Sequence, residues 1–188
     1  MSELFAPMQG ASYEGLIRIE ALGPTGQITL RGDFASESLR AVVGDWLGLD
    51  LPAPRSAAWT AERAALWMSP DELLLVLPYA QATASTARLT ESLAGEHALV
   101  ANVSDARAQF RLTGDPLREA LAKLTPADVS EAALPVGGVR RTRLAQVAAG
   151  IWIRDEDEAQ LFCFRSVADY TFNLLSSAAA PGSAVGYF

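Results

Sequence analysis

The sequence is poor in the side chains that most enzymes use for chemistry. Its 188 residues include one histidine, His97, and one cysteine, Cys163. A zinc site needs three or four ligands, so carboxylates would have to supply most of them here. A catalytic triad would need His97 beside a nucleophile, and the chain has no G-x-S-x-G elbow. Zinc-dependent and triad hydrolases are therefore disfavoured, and we expect His97 to lie at the surface near a helix end.

Signals for binding nucleotides, membranes and nucleic acids are also missing. There is no Walker motif, no G-x-G-x-x-G and no run of 18 apolar residues. The segment MSELFAPMQG has neither the basic nor the apolar region of a signal peptide. A net charge of −7 disfavours binding to nucleic acids and anionic membranes. We therefore expect a cytoplasmic protein with no nucleic acid and no membrane among its partners.

Cysteine and clustered acids each have a simple structural explanation. Cys163 lies in the apolar sequence QLFCF, which predicts a buried and unreactive thiol. A single cysteine cannot form an intrachain disulfide, which fits a reducing compartment. The acidic run Asp155–Glu158 is typical of a solvated turn that discourages edge pairing. A calcium site is the alternative, although this compact run lacks the every-second-residue spacing of a calcium loop.

The chain does contain a strand–strand–helix unit that recurs four times. Alternating apolar residues and turn residues predict hairpins over residues 16–32, 63–78, 97–114 and 144–165. The predicted helices are Ser36–Leu47 ended by Gly48, Tyr79–Leu93, one capped by Asp115 ahead of Pro116, and one beginning at Ser166. In the third helix, apolar residues including Leu121 form a stripe that is predicted to face the core. The spacing of Ser166 and Asp169 is that of a capping box.

These units predict an α+β fold rather than an α/β fold. Strands joined by short turns must be antiparallel, so four ββα units are expected to form antiparallel sheets with packed helices. We expect a single domain over residues 1–188, in which residues 14–95 and 96–180 approximate two pseudo-repeated halves. The stretch Pro126–Arg143 breaks the pattern and is predicted to be a long functional loop.

Four segments carry a resemblance to a known family. They are WMSPDELLLVLP, NVSDARAQFRLTGDPLREALAK, ALPVGGVRRTRLAQVAAGIWI and FRSVADYTFNLL, which lie between residues 65 and 175. In this order and at this spacing they resemble the gamma subunit of bacterial heterotetrameric sarcosine oxidase. That subunit is in turn similar to the folate-binding domain of the glycine-cleavage aminomethyltransferase.

The resemblance implies a role inside an enzyme complex. The family's complex oxidises sarcosine to glycine and passes a one-carbon unit to tetrahydrofolate. It implies alpha, beta and delta subunits as partners, with FAD, FMN, NAD, tetrahydrofolate and zinc in those subunits and no cofactor in this chain. The family pattern assigns no catalytic, cofactor-binding or metal-binding residue here. We therefore expect a non-catalytic subunit of an oxidase complex.

Two alternatives to this role stay open. A free-standing folate-binding or one-carbon-transfer protein would need a carboxylate for the pterin and a basic residue for the glutamate tail. Asp105, Arg107 and Arg165 are the candidates for those positions. The second alternative is an unrelated binding module.

For a subunit, the sequence suggests two candidate partner surfaces. Arg140, Arg141 and Arg143 form the one local basic run, and arginine is enriched at interface hot spots. A solvated face is the simpler explanation of such a run. The second candidate is the aromatic C-terminus, Tyr187 and Phe188.

Overall fold

The computed structural model describes residues 6–188, so the first half of the segment MSELFAPMQG lies outside the described residues. The chain forms two compact units. The inserted unit is Thr25–Ser104, and the terminal unit consists of the residues before Thr25 together with Asp105–Phe188. Each unit has an antiparallel sheet and a hydrophobic core of its own. The predicted α+β class is confirmed.

The secondary structure of the described residues is mostly short strands joined by four helices. The strands are β1 (Ser12–Glu14), β2 (Arg18–Ala21), β3 (Thr25–Arg31), β4 (Ala57–Trp59), β5 (Ala64–Ser69), β6 (Glu72–Pro78), β7 (Leu99–Asn102), β8 (Arg107–Thr113), β9 (Val139–Leu144), β10 (Val147–Asp155) and β11 (Glu158–Phe164). The helices are α1 (Glu37–Leu47), α2 (Ala82–Ser92), α3 (Leu117–Ala122) and α4 (Ala168–Ala178).

Both sheets follow one βαββαβ plan. In the inserted unit the sheet order is β4-β5-β6-β3-β7, and in the terminal unit it is β1-β2-β8-β11-β10-β9. Strand β8 of the terminal unit corresponds to β3, β10 to β5 and β11 to β6. The place of β7 is taken by β2, which comes from the start of the chain. The predicted repeat over residues 14–95 and 96–180 follows chain order, and it stays a prediction.

Two of the four predicted hairpins are confirmed and two are wrong. Strands β5 and β6 pair directly, as do β10 and β11. In contrast, β2 pairs with β8 and β3 pairs with β7, so the predicted first and third hairpins do not form. The turn residues after β2 and after β7 instead lead the chain from one unit into the other. Each of these strands therefore pairs with a partner that is distant in the sequence.

Helix α1 has the ends that the sequence predicts. The Ser36 hydroxyl accepts a hydrogen bond from the Leu39 amide at 3.3 Å, which is an N-cap contact. Gly48 ends the helix with φ of 76°, a left-handed conformation that glycine adopts without steric cost. Its amide donates to the Gly44 carbonyl at 2.7 Å and so closes the last turn.

The predicted caps of the third and fourth helices are wrong. Helix α3 begins at Leu117 without a side-chain cap bond, and the Leu117 amide donates to the Gly114 carbonyl at 3.0 Å. Helix α4 follows a 3₁₀ turn over Arg165–Val167, and it too lacks a side-chain cap bond. Backbone carbonyls of the preceding turns therefore do what Asp115 and Ser166 were predicted to do.

The core of the terminal unit lies between its sheet and helices α3 and α4. Leu121 is fully buried there, and the rings of Phe110 and Phe172 pack at 6.2 Å between centroids.

Gly150 on β10 lies opposite Phe162 on β11. A Cβ added at Gly150 would overlap the Phe162 ring, which is itself buried. The sheet therefore has no room for a side chain at this position.

Replacing Leu121 with Ala is expected to lower the free energy of unfolding by about 2–5 kcal/mol, because it opens a cavity in the core. Asp115→Ala is the matched surface change in the same segment. Since Asp115 makes no cap bond, its loss is expected to cost less than about 0.5 kcal/mol. Urea denaturation of both variants measures the difference. Equal losses would contradict the packing of α3.

Replacing Gly150 with Ala is expected to lower the free energy of unfolding by about 1–3 kcal/mol, because the added methyl group forces the Phe162 ring to move. Gly95→Ala provides the control, since a Cβ there meets no atom within 4 Å. The same denaturation experiment compares them. A Gly150→Ala protein as stable as Gly95→Ala would show that the Phe162 ring does not fill this space.

Candidate functional site

The three clustered arginines lie on a strand and not on the predicted loop. Strand β9 forms one edge of the six-stranded sheet, and it pairs with β10 so that Arg141 lies opposite Gly150. Successive side chains of a strand point to opposite faces. Arg141 and Arg143 therefore share one face and are exposed, whereas Arg140 is half-buried on the other. The run that was predicted to act together is divided by the strand.

The irregular stretch before β9 is held in place by arginine side chains. The Arg118 guanidinium donates to the carbonyl oxygens of Val129 at 2.6 Å and Leu134 at 2.9 Å. Arg140 donates to the Ala133 carbonyl at 2.7 Å. Val129 and Leu134 are also buried in the core of the unit. The part of the predicted loop that precedes β9 is therefore held by contacts within its own unit, and its functional role stays a prediction.

Asp128 closes a turn within this stretch. Its carboxylate accepts a hydrogen bond from the Ser130 amide at 2.9 Å. Hydrogen bonds from the side chain and the backbone of Ser130 lower the pKa of Asp128 below its usual range. The carboxylate therefore stays ionised as a structural acceptor.

The C-terminal tail, Pro181–Phe188, is attached to helix α3 by a carboxylate and an amine. The buried Glu119 carboxylate accepts hydrogen bonds from the backbone amides of Val185 and Gly186. These bonds, with that from Val185 as the largest cause, lower the pKa of Glu119. The Lys123 ammonium donates to the Ser183 carbonyl at 2.6 Å. Two residues one helical turn apart thus fix the path of the tail.

The end of the tail presents apolar groups to solvent. Val185 is 73% exposed, Tyr187 81% and Phe188 52%. The two aromatic rings pack edge to face with centroids 5.0 Å apart. The sequence analysis named this aromatic end as a candidate partner surface, and that role stays a prediction. The sequence analysis missed Glu119 and Lys123, whose i, i+4 spacing on one helix predicts an ion pair but gives no sign of a contact with the tail.

Acidic side chains surround the place where the tail ends. Phe188 lines a depression of about 350 Å³ together with Asp115, Glu131, Glu156 and Glu119. Asp115, Glu131 and Glu156 are exposed, and Arg118 in the same wall already binds backbone carbonyls. The surroundings of the aromatic end are therefore negatively charged.

A second depression of the terminal unit, about 750 Å³ in volume, tests the folate candidates. Arg165 lines it, and the Arg165 amide donates to the Ala106 carbonyl at 2.9 Å. Asp105 is not among its lining residues, and the carboxylate comes instead from Asp169. Asp169 and Phe164 are both exposed. The depression thus offers an exposed carboxylate and an exposed aromatic ring beside the half-buried Arg165. The carboxylate lacks the burial that strengthens a polar contact.

The remaining candidates for chemistry have structural surroundings. Cys163 is 3% exposed, and burial is the main cause that raises the pKa of its thiol. His97 is exposed just after α2, as predicted. The acidic run Asp155–Glu158 forms the turn between β10 and β11. Across residues 6–188 no group of three His, Cys, Asp or Glu side chains is placed to hold a metal ion.

Helix length gives one finding about membranes. Within the described residues, no helix is both long enough and apolar enough to cross a bilayer.

Comparison of the fold with solved structures finds a match that spans almost the whole chain. A chain of the heterotetrameric sarcosine oxidase from Corynebacterium sp. U-96, solved with pyrrole 2-carboxylate, has a TM-score of 0.82 and 26% identity, covering 96% of this chain and 93% of that one. The glycine cleavage system aminomethyltransferase T from Bartonella henselae has a TM-score of 0.63 and 18% identity, covering 84% and 44%. The second match shows a shared fold alone.

Sequence comparisons agree with the structural match. The gamma subunit of sarcosine oxidase from Corynebacterium sp. strain U-96 is 27% identical over 97% of this chain and 90% of its own length. The gamma subunit from an Arthrobacter species is 28% identical over 77% of this chain and 71% of its own length. Residues 31–181 match the family described as sarcosine oxidase, gamma subunit. Since this match covers most of the chain, the protein belongs to the sarcosine oxidase gamma subunit family.

Proposed function

We propose that the chain is a non-catalytic subunit of a heterotetrameric sarcosine oxidase. The observation that carries the proposal is the likeness, over 96% of the chain and with a TM-score of 0.82, to a chain of such an oxidase. Its partners in this proposal are the alpha, beta and delta subunits. The complex oxidatively demethylates sarcosine to glycine and transfers the one-carbon unit to tetrahydrofolate in the cytoplasm. FAD, FMN, NAD, tetrahydrofolate and zinc belong to the partner subunits.

The surroundings of the titratable side chains support a structural role. Groups with shifted pKa values are the usual candidates for acid–base chemistry. Here the shifted carboxyl groups of Glu119 and Asp128 accept backbone hydrogen bonds, and the shifted thiol of Cys163 is buried in the core. Each of these shifts has a cause in the packing of the fold.

The chain purified alone is expected to be colourless and to produce no peroxide from sarcosine. The reassembled complex serves as the positive control. A flavin absorbance band in the isolated chain, or peroxide from it, would contradict the proposal.

Folate binding separates the proposal from its alternative, a free-standing folate-binding or one-carbon-transfer protein. We expect the isolated chain to bind tetrahydrofolate more weakly than about 1 μM, or roughly −8 kcal/mol, because the Asp169 carboxylate of the 750 Å³ depression is exposed to water. Calorimetry measures the affinity. Tighter binding that Asp169→Asn abolishes and Asp105→Asn preserves would favour the alternative.

The proposed interface with the other subunits includes the exposed face of β9, which carries arginine side chains. Arg141 and Arg143 extend from the edge of a sheet in a chain whose net charge is −7. Guanidinium groups bind carboxylates through two parallel hydrogen bonds, which gives both affinity and orientation. We therefore propose that these two arginines meet acidic groups on a larger subunit. Arg140 is assigned to the fold instead, because it bonds the Ala133 carbonyl.

Charge reversal of Arg141 and Arg143 to Glu is expected to weaken binding to the other subunits by at least about tenfold, with the melting temperature of the isolated chain unchanged. Arg40→Glu with Arg88→Glu is the matched control, since both are exposed arginines on α1 and α2 and the charge change is identical. Binding is measured by titration against the complex of the other subunits. If both double variants bind alike, β9 is not the interface.

A further inference from the structure

The C-terminal tail has a fixed path although it forms no helix or strand. Lys123 donates hydrogen bonds to the carbonyl oxygens of Ala178 and Ser183, and Glu119 accepts from the amides of Val185 and Gly186. Three of these contacts hold the eight-residue tail itself, and the bond to Ala178 joins Lys123 to the end of α4, just before the tail. A segment that is already ordered loses less conformational entropy when it binds a partner.

The ordered tail exposes apolar side chains to solvent. The backbone of Tyr187 also hydrogen-bonds the Glu119 carboxylate. Tyr187 and Phe188 nevertheless expose more than half of their surface, next to an exposed Val185. Aromatic rings are costly to leave in water, and large rigid side chains are enriched at the centres of protein interfaces. The fold uses a buried carboxylate to hold these rings outward, and the contacts within the chain do not bury them. The aromatic pair therefore resembles the apolar centre of a protein–protein interface.

The rim of this centre is acidic. Asp115, Glu131 and Glu156 are exposed in the depression that Phe188 lines, while Arg118 in the same wall is bonded to backbone carbonyls. An interface of ordinary anatomy has an apolar core and a polar rim. A partner that covers Tyr187 and Phe188 therefore meets three carboxylates at its edge. Basic side chains on that partner would complement them.

From these observations we infer that the tail is an ordered binding element that inserts into a pocket on a neighbouring subunit. The base of that pocket is apolar, and arginine or lysine side chains line its edge. The inference rests on the proposed function, because it takes the partner to be a subunit of the same oxidase. It concerns a surface separate from β9 and of opposite charge. The two surfaces therefore predict partner regions of opposite sign.

The experiment measures binding of the full chain to the complex of the other subunits by titration. Tyr187→Ser with Phe188→Ser is expected to raise Kd at least about 30-fold, the loss typical of hot-spot residues. Tyr170→Ser is the control, since it removes an exposed aromatic ring from α4. The control is expected to change Kd less than about threefold. The substituted residues are exposed, so melting temperatures of the isolated variants should match that of the unchanged chain.

A second pair of variants tests the rim. Glu131→Lys with Glu156→Lys is expected to weaken binding at low salt and to flatten the salt dependence of Kd, because opposite charges attract less strongly as ions screen them. Glu37→Lys with Glu91→Lys makes the same charge change at exposed positions of α1 and α2. That control should keep the salt dependence of the unchanged chain.

Three outcomes would overturn the inference, and one is distinct from them. Unchanged affinity in the double serine variant would remove the tail from the interface, and equal losses in Tyr170→Ser would show a general effect of apolar surface. If the isolated chain self-associates and the double serine variant does not, the binding pocket lies on a second copy of this chain. If the unchanged chain itself fails to bind the other subunits, the proposed function fails instead.

Discussion

The pairing of β2 with β8 is the contact on which the terminal unit depends. It joins residues on either side of the inserted unit, with Ala21 opposite Phe110 and the Leu22 amide donating to the Gln109 carbonyl at 2.9 Å. Because β8 is covered by β2 on one side and β11 on the other, it lies inside the sheet. Helix α3 follows β8 directly and carries Glu119 and Lys123. The same pairing thus sets the sheet, the core and the attachment of the tail.

Local signals in the sequence predicted the local parts of the fold. Ser36 and Gly48 end α1 where their chemistry places them, and both tight turns with strong strands on either side formed hairpins. In each wrong prediction, another contact replaced the one that the local sequence signal indicated. The residues after Ala21 have turn chemistry, but β2 gains a buried partner face only from β8, far along the chain. Asp115 has a good cap side chain, but the Gly114 carbonyl takes the bond.

The sequence predicted which residue types the candidate site contains but not how the fold arranges them. The run of three arginines is visible in the sequence, yet its division into one internal and two exposed side chains follows from strand pairing with β10. Tyr187 and Phe188 were predictable as a candidate partner surface, because they are two aromatic residues in a short tail that contains two glycines. That Glu119 holds this tail was not, because a carboxylate beside a buried stripe is ordinarily assigned to the solvated face. Its burial depends on backbone amides more than sixty positions away.

The ends of the inserted unit lie side by side, and this affects the order of folding. The Ser104 hydroxyl accepts a hydrogen bond from the Gln27 amide at 2.9 Å, and the Val103 amide donates to the Gln27 carbonyl at 2.8 Å. Pairing β2 with β8 in an otherwise unfolded chain must close a loop of about 90 residues. Once the inserted unit has folded, the flexible part of that loop is only about ten residues. Loop-closure entropy then opposes the pairing by about 2 kcal/mol less. Prior folding of the inserted unit therefore lowers the entropic cost of closing the sheet that surrounds it in sequence.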